Sequence, residues 1–200
     1  SLVVVLILGL LFPGGRNPLS PKPGWLKKTQ ALVLMIVALV LVVGSFQEFR
    51  GDLKIASGRR HFARGKMKHA VVQLEQGLDQ MIWPGQSHLY LGLAQTAFGQ
   101  PEKAEINYQI SLNNRPSFEA HLALAESALN KRNFSVAESH LEVVRNCRPV
   151  LGFIHQENFL RGLMLVRQGR LDSAREVFLQ LLREDPNQHR ALLGLGYLET

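Results

Sequence analysis

Seven histidines are the side chains of this 200-residue chain best suited to bind a metal ion or to transfer protons near neutral pH. A zinc site on a helix would need a His-Glu-x-x-His pattern or a cluster of histidines and cysteines, and neither occurs. The single cysteine, Cys147, permits no internal disulfide. We therefore predict no metal and no cofactor, and structural or surface roles for the histidines, which are His61, His69, His88, His121, His140, His155 and His189.

Patterns typical of catalysis are also missing. Gly194-Leu195-Gly196 has the spacing of part of a phosphate-binding loop, but no strand precedes it, as such a loop requires. No nucleophile stands in a recognisable pattern with a general base. The sequence predicts no catalytic residue in this stretch, and it leaves open whether a longer protein containing it is an enzyme.

The helices that would position any site recur along the chain as a sequence repeat. Ala70, Ala104 and Ala137 are separated by 34 and 33 residues, and Ala174 follows after 37, which predicts a small insertion. Each alanine comes shortly after a turn between two helix-like runs. A period of this length is typical of stacked helical hairpins, since one hairpin cannot bury its apolar face alone.

Other positions repeat in the same register. Small residues that would let two helices approach closely occupy one position of each copy, and these are Gly58, Gly92, Ala125, Gly162 and Gly196. Glycines follow at the predicted turns, where Arg132–Asn133 replaces them in the third copy and Asn is the usual substitute. Large residues recur in the second helices, at Leu74, Tyr108, Leu141 and Phe178. Prolines close the second to fourth copies, at Pro116, Pro149 and Pro186.

These residues resemble the tetratricopeptide repeat family over residues 51–200, most clearly in Gly162 … Gly169 … Ala174 … Phe178 … Pro186. The resemblance implies an all-α superhelix with hairpins at about 52–84, 86–116, 119–148 and 155–185 and a single helix from about 188. The family's usual aromatic near the start of each repeat is replaced, by Lys54, His88, His121, Asn158 and Leu192. A helical-hairpin array of another family is the alternative.

The resemblance also implies a site, because first helices of such repeats line a concave groove that binds peptides. The residues carried over to that groove are Arg59, Phe62, Leu89, Leu93, Thr96, Leu122, Glu126, Asn130, Phe159, Leu163, Arg167 and Tyr197. We expect Leu89, Leu93, Leu122, Phe159 and Leu163 to form one exposed apolar strip. Ile55, Leu89 and Leu122 stand where a carboxylate clamp would need Lys or Asn, so an apolar peptide is favoured. The alternative is that these apolar residues pack against one another.

The N-terminal fifth has a different composition. Residues 29–47 lack charge and would span about 28 Å as a helix, close to the thickness of a bilayer core. Trp25, Lys27 and Lys28 precede this stretch and Phe49 and Arg50 follow it, as is typical of interface anchors. We predict a transmembrane helix at 29–47, a basic Pro/Gly loop at 13–28, and the end of a truncated transmembrane helix at 1–12. The alternatives are a buried soluble helix for 29–47 and a signal peptide for 1–12.

The charge distribution bears on the partners. The formal net charge of +7 combines +9 in residues 1–70 with −2 in residues 71–200. The positive charge therefore lies beside the predicted membrane segment, where anionic lipid would attract it. We predict a lipid contact and no nucleic-acid binding. More basic residues follow residues 29–47 than stand in the short loop before them, which slightly favours a cytoplasmic location of the repeats.

Two functions remain open from the sequence. The first is a membrane-tethered tetratricopeptide-repeat scaffold that binds a protein or peptide in its groove. The second is the C-terminal part of a larger membrane enzyme, because O-antigen ligase- and polymerase-like proteins have a similar layout of final membrane helices followed by repeats. That resemblance is one of layout, places the protein in a bacterial inner membrane, and transfers no catalytic residue.

Overall fold

A computed structural model describes residues 24–81, 84, 86–147 and 150–198, with side chains from Thr29 onward except Gln30. Within this described part every regular element is an α-helix. The helices are α1 (Gly24–Ala63), α2 (Met67–Leu78), α3 (Ser87–Ala97), α4 (Pro101–Asn114), α5 (Phe118–Asn130), α6 (Phe134–Asn146), α7 (Leu151–Arg167), α8 (Leu171–Glu184) and α9 (His189–Gly196). The predicted all-α class is confirmed.

The chain divides into two compact units, residues 1–49 and 50–200. The described part of the first unit is the N-terminal portion of α1, and its apolar side chains are exposed on every side of the helix. Helix α1 begins at Gly24 and continues to Ala63, so it includes the last residues of the predicted loop and extends past residue 47, the predicted end of the membrane segment. No proline follows Pro23 in this stretch to stop the helix. The predicted segments 1–12 and 13–23 lie outside the described residues.

The second unit is an array of helical hairpins. The end of α1 from Arg50 packs against α2, while α3 with α4, α5 with α6, and α7 with α8 form three further hairpins, followed by α9. The fourth hairpin begins at Leu151 rather than near 155, and α7 is the longest helix after α1, with 17 residues. The insertion indicated by the longer repeat step therefore extends the start of α7.

Small residues allow the helices of each hairpin to cross closely. All four register alanines are buried, with at most 1% of their surface exposed. A Cβ atom added to Gly92 would lie 2.5 Å from Tyr108 Cε1, and one added to Gly162 would lie 2.4 Å from Phe178 Cε1. Both distances are below van der Waals contact, so the aromatic rings occupy the space that a side chain would need.

The fifth copy departs from the predicted register. Gly196 has no heavy atom near the position its Cβ would take, whereas Gly194 packs on the ring of Phe178. Glycine at 194 thus lets α9 approach α8, and Gly196 is exposed. The predicted role of Gly196 as a packing residue is not met in the described chain.

The turns within hairpins use left-handed backbone, as predicted. Gly65, Gly99 and Gly169 have φ angles of 72°, 82° and 76°. In the third hairpin the left-handed residue is Arg132, with φ 57°, rather than Asn133. Asn133 instead caps α6, because its side chain accepts a hydrogen bond from the backbone N–H of Val136 at 3.4 Å.

Two second helices end just before a proline, as the sequence predicts. Arg115 and Asp185 adopt extended backbone after α4 and α8, and each is followed by a proline. Proline disfavours helical backbone in the residue before it, so these helices end there. The following Ser117 caps α5 by accepting a hydrogen bond from Ala120 N–H at 3.3 Å.

Candidate partner-binding groove

The first helices of neighbouring hairpins lie side by side. Helix α3 contacts α5, α5 contacts α7, and α7 contacts α9 across the array. Phe118 of α5 and Phe153 of α7 join two of them, with ring centroids 5.6 Å apart. Because these helices adjoin one another, their outward side chains form a shared surface on one side of the array.

A cavity of about 490 Å³ lies on this surface and is here called the central groove. Helices α3 and α5 form its walls, the start of α4 forms one end, and α7 reaches it with one residue. This volume is within the usual range for ligand sites. The lining residues are Leu93, Thr96, Ala97, Pro101, Glu102, Tyr108, Glu119, Ala123, Glu126, Ser127, Asn130, Lys131 and Gln156.

Four of the residues carried over from the repeat register lie in the central groove. Leu93 and Thr96 face it from α3, and Glu126 and Asn130 face it from α5. Leu93 is half-buried, while the other three are exposed. The side chain of Asn130 also accepts a hydrogen bond from Arg167 of α7 at 2.9 Å, which places the predicted residue Arg167 beside the groove.

Leu89 and Leu122 require a correction, because both side chains are buried rather than exposed. Leu89 is 5% exposed and packs in a cluster with Ala104 and Tyr108. Leu122 is 1% exposed and packs in the cluster that contains Leu141. Each lies one helical turn before a groove residue, and at that height the neighbouring helix covers it. The expected continuous apolar strip is therefore interrupted.

The remaining predicted residues are spread along the array. Phe159 and Leu163 are half-buried and pack against the cluster around Phe178, with the rings of Phe159 and Phe178 6.0 Å apart. Arg59 is exposed and lies over the ring of Tyr90, at 4.2 Å from its centroid. The last two are half-buried Phe62 and exposed Tyr197. None of these lines the central groove.

Several lining residues were not predicted from the register. Pro101 and Glu102 belong to the first turn of α4, a second helix, and Glu119 belongs to the first turn of α5. A helix N-terminus favours acidic residues and Pro at its first position. In the sequence, these residues therefore indicate the start of a helix and do not by themselves indicate a groove. The register of first helices alone could not find residues contributed by the start of a second helix.

Tyr108 forms the floor of the groove. Its hydroxyl is 2.8 Å from the hydroxyl of Thr96, and its side chain is 2% exposed. Burial raises the pKa of Tyr108, the hydrogen bond with Thr96 acts in the opposite direction, and the charge of Glu126 raises the pKa further. The carboxylate of Glu126 therefore acts electrostatically on the groove floor.

Polar side chains join the helices on both sides of the groove. His88 Nδ1 lies 2.8 Å from Asn107 Oδ1, and Asn107 donates to the buried Gln95 at 2.9 Å. His121 and His140 are 19 residues apart in the chain, as His88 and Asn107 are, and their Nδ1 atoms are 3.0 Å apart. His88, His121 and His140 each contact a polar side chain of the neighbouring helix in the same hairpin.

The two paired histidines have lowered pKa values. Burial lowers the pKa of His121, and the charge of His140 lowers it further. Burial also lowers the pKa of His140, against a raising effect of Glu105. Both imidazoles therefore favour the neutral form, in which one ring nitrogen can donate to the other.

A buried carboxylate stabilises the junction between the third and fourth hairpins. Glu157 is 2% exposed and accepts hydrogen bonds from Arg161 at 3.0 and 2.8 Å, with Arg145 at 3.2 Å. Arg161 also contacts Glu138 at 2.6 Å. Burial acts to lower the pKa of Arg161, but the hydrogen bonds to Glu138 and Glu157 outweigh it and the pKa is raised. The network joins α6 to α7 and needs no ligand to satisfy it.

One helix of the described chain is long and apolar enough to cross a membrane, judged by length and composition. This is the part of α1 spanning Ala31–Ala63, whose apolar window has no buried residues. Leu39, Val40, Leu41 and Val42 are each more than 60% exposed. Such a surface is consistent with a membrane anchor.

Comparison with known proteins bears on the array. A family model described as "Tetratricopeptide repeat" matches residues 159–199. The solved structure of MamA from AMB-1 is similar at a TM-score of 0.55 and 21% identity, covering 75% of this chain and 81% of that one. A mutant of MamA is similar at a TM-score of 0.56 and 22% identity, covering 75% and 86%. No curated protein sequence matches. The chain thus has the fold of a tetratricopeptide-repeat superhelix, and its segment 159–199 matches the repeat family itself.

Proposed function

We propose that the protein is a membrane-tethered scaffold that binds a protein partner in the central groove and on the adjoining faces of its first helices. The fold and the matched repeat support a protein-interaction scaffold in general terms. The observation that carries the finer proposal is the groove itself, where apolar Leu93, Ala97 and Ala123 lie among exposed polar side chains. A mixed lining of this kind suits a peptide, since apolar contacts provide affinity and polar groups fix its orientation.

The tether is the second part of the proposal. Exposing large aliphatic side chains on all faces of a helix is unfavourable in water, at roughly 25 cal/mol per Å² of apolar surface. Lipid removes that cost over the charge-free residues 29–47. The basic residues on both sides would contact anionic headgroups, and their distribution favours repeats on the cytoplasmic side of a bacterial inner membrane.

Binding in the groove can be tested with a matched pair of substitutions. Leu93→Glu places a charge inside the groove, whereas Ile106→Glu places one on α4 at a side chain that is 58% exposed and outside the lining. In pull-downs from detergent-solubilised native membranes, Leu93→Glu should lose specific partners that Ile106→Glu retains. Circular dichroism should show the same helicity in both. Equal capture by the two variants would contradict the groove as the site.

A further inference from the structure

The central groove carries an excess of negative charge around an apolar centre. Glu102, Glu119 and Glu126 contribute carboxylates to its lining. Among the described residues that line the groove, Lys131 is the only cation, and its ammonium group is paired with Glu105, which lies outside the lining. The lining carboxylates therefore lack a matching positive charge within the groove.

The three carboxylates differ in how they are stabilised. Glu119 accepts a hydrogen bond from the Ser117 hydroxyl at 2.8 Å, and both Glu119 and Glu102 lie in first turns, where the helix dipole favours a negative charge. Glu126 lies within α5, away from its first turn, and therefore lacks this stabilisation by the helix dipole. Among the described residues neither Glu102 nor Glu126 forms an ion pair.

Nearby arginines do not neutralise this centre. Arg167 donates a hydrogen bond to Asn130 at 2.9 Å at one rim, and Arg59 of the first hairpin lies over the ring of Tyr90 of α3. Both arginines therefore lie outside the groove lining, and the lining keeps its excess of negative charge. A bound segment that complements this lining carries a positive charge.

We infer that the central groove accepts a peptide segment of a protein partner in which a Lys or Arg adjoins an apolar side chain. The inference rests on the proposed groove function and adds the chemistry of the ligand. The apolar side chain would contact Leu93, Ala97 and Ala123, and the cation would lie between Glu102 and Glu126. An Arg or Lys placed there gains charge-assisted hydrogen bonds from carboxylates that have no cation of their own.

The decisive test uses an array of short synthetic peptides that vary a central apolar residue and the charge of its neighbours. The assay uses the full chain in detergent micelles or nanodiscs. Peptides with basic neighbours should bind best, and the affinity should fall as salt rises, because partly exposed ion pairs are screened. Peptides in which acidic residues replace the basic ones should not bind.

Two double variants separate the groove charges from charge in general. Glu102→Gln with Glu126→Gln should weaken binding of the best basic peptide by about tenfold or more. Glu142→Gln with Glu176→Gln removes the same charge at exposed sites outside the lining and should leave binding unchanged. The substituted amides keep the size and helix compatibility of the glutamates, and thermal melts would show that both proteins remain folded.

The outcomes distinguish this inference from the proposed function. A bound set not enriched in basic peptides would overturn it, and so would basic peptides that bind equally well to the parent chain and to the double variant Glu102→Gln with Glu126→Gln. If Leu93→Glu still abolishes capture of native partners in that case, the groove function stands and only the ligand chemistry is wrong. If Leu93→Glu has no effect on either peptide or partner, the proposed function falls as well.

Discussion

The N-terminal part of α1 and the hairpin array are both rich in aliphatic residues, yet they place them differently. In α1 the side chains of Ile36, Leu39 and Val40 are all more than half exposed. In the array each hairpin buries an apolar face, where Leu74, Leu141 and Phe178 have no exposed surface. Stacked helices bury apolar side chains in the array, whereas the N-terminal part of α1 leaves its apolar side chains exposed in the described chain.

Polar composition shows the same contrast. The array pairs some of its buried polar groups internally, as in the Glu157–Arg161 network and the Gln95–Asn107 hydrogen bond. Residues 29–47 contain no charge to satisfy. An added charge should therefore prevent membrane insertion in residues 29–47, whereas the array should tolerate the same charge at exposed positions.

The largest expected effect comes from charge in the apolar helix. Ile36→Arg with Val40→Arg should cost about 2.5–3.5 kcal/mol per residue for insertion at the centre of a membrane helix. We expect the doubly substituted protein to become extractable by alkaline carbonate, whereas the parent chain requires detergent. Gln109→Arg with Gln180→Arg adds the same charge at exposed positions of the array and should leave fractionation unchanged. Carbonate extraction of the parent chain would refute the membrane tether.

The second prediction concerns close packing in the array. Gly162→Ala should destabilise the protein by about 1–3 kcal/mol, because the new methyl group would meet the fully buried ring of Phe178. Gly152→Ala in the same helix meets nothing and should stabilise it by about 0.5–1 kcal/mol through helix propensity. Urea denaturation of both variants checks the opposite signs. Equal effects would mean that the hairpin crossing is placed wrongly.

A smaller effect is expected at the left-handed turn of the third hairpin. Arg132→Gly should stabilise the array by about 0.5–1 kcal/mol, since glycine adopts positive φ without the steric cost that a Cβ imposes. The reciprocal change Gly99→Ala, at a turn with φ 82°, should destabilise it by a similar amount. Thermal melts at neutral pH provide the measurement, and a destabilised Arg132→Gly variant would contradict the assigned turn.

The smallest effect is the pH dependence of the His121–His140 pair. Both pKa values are lowered by burial in the folded state, so the unfolded chain binds protons more readily. The pair's contribution to stability is complete above about pH 6.5 and is lost as the pH falls through the folded pKa values. His121→Gln with His140→Gln should reduce this loss below about pH 6.5, as followed by urea denaturation at each pH. Exposed His189→Gln should retain the parent profile.

The array was largely predictable because its periodicity reflects local packing. A repeating Ala or Gly marks a helix crossing, and three of the four hairpin turns have glycine at the left-handed position. Two exceptions follow from local sequence that the repeat pattern does not include. Arg132 holds the left-handed position because Asn133 caps α6, and α1 continues past residue 50 because no proline interrupts it.

The groove was less predictable from sequence. Of the residues that the register predicts, Leu93, Thr96, Glu126 and Asn130 line the cavity, and its walls come from first helices. The register could not tell that Leu89 and Leu122 are covered by neighbouring helices, because burial depends on how far adjacent hairpins overlap. Glu102 reaches the groove from a second helix, which the first-helix pattern does not include.

The most direct test of the central claim is site-specific photocrosslinking in intact native membranes. A photoreactive amino acid at exposed Thr96 lies in the central groove, and one at exposed Ile106 lies outside it. We expect the Thr96 probe to form a discrete covalent adduct with a protein partner in the membrane fraction, and Leu93→Glu to abolish that adduct. The Ile106 probe should not form it. Adducts that arise equally from both positions, or that persist in Leu93→Glu, would contradict partner binding in the groove.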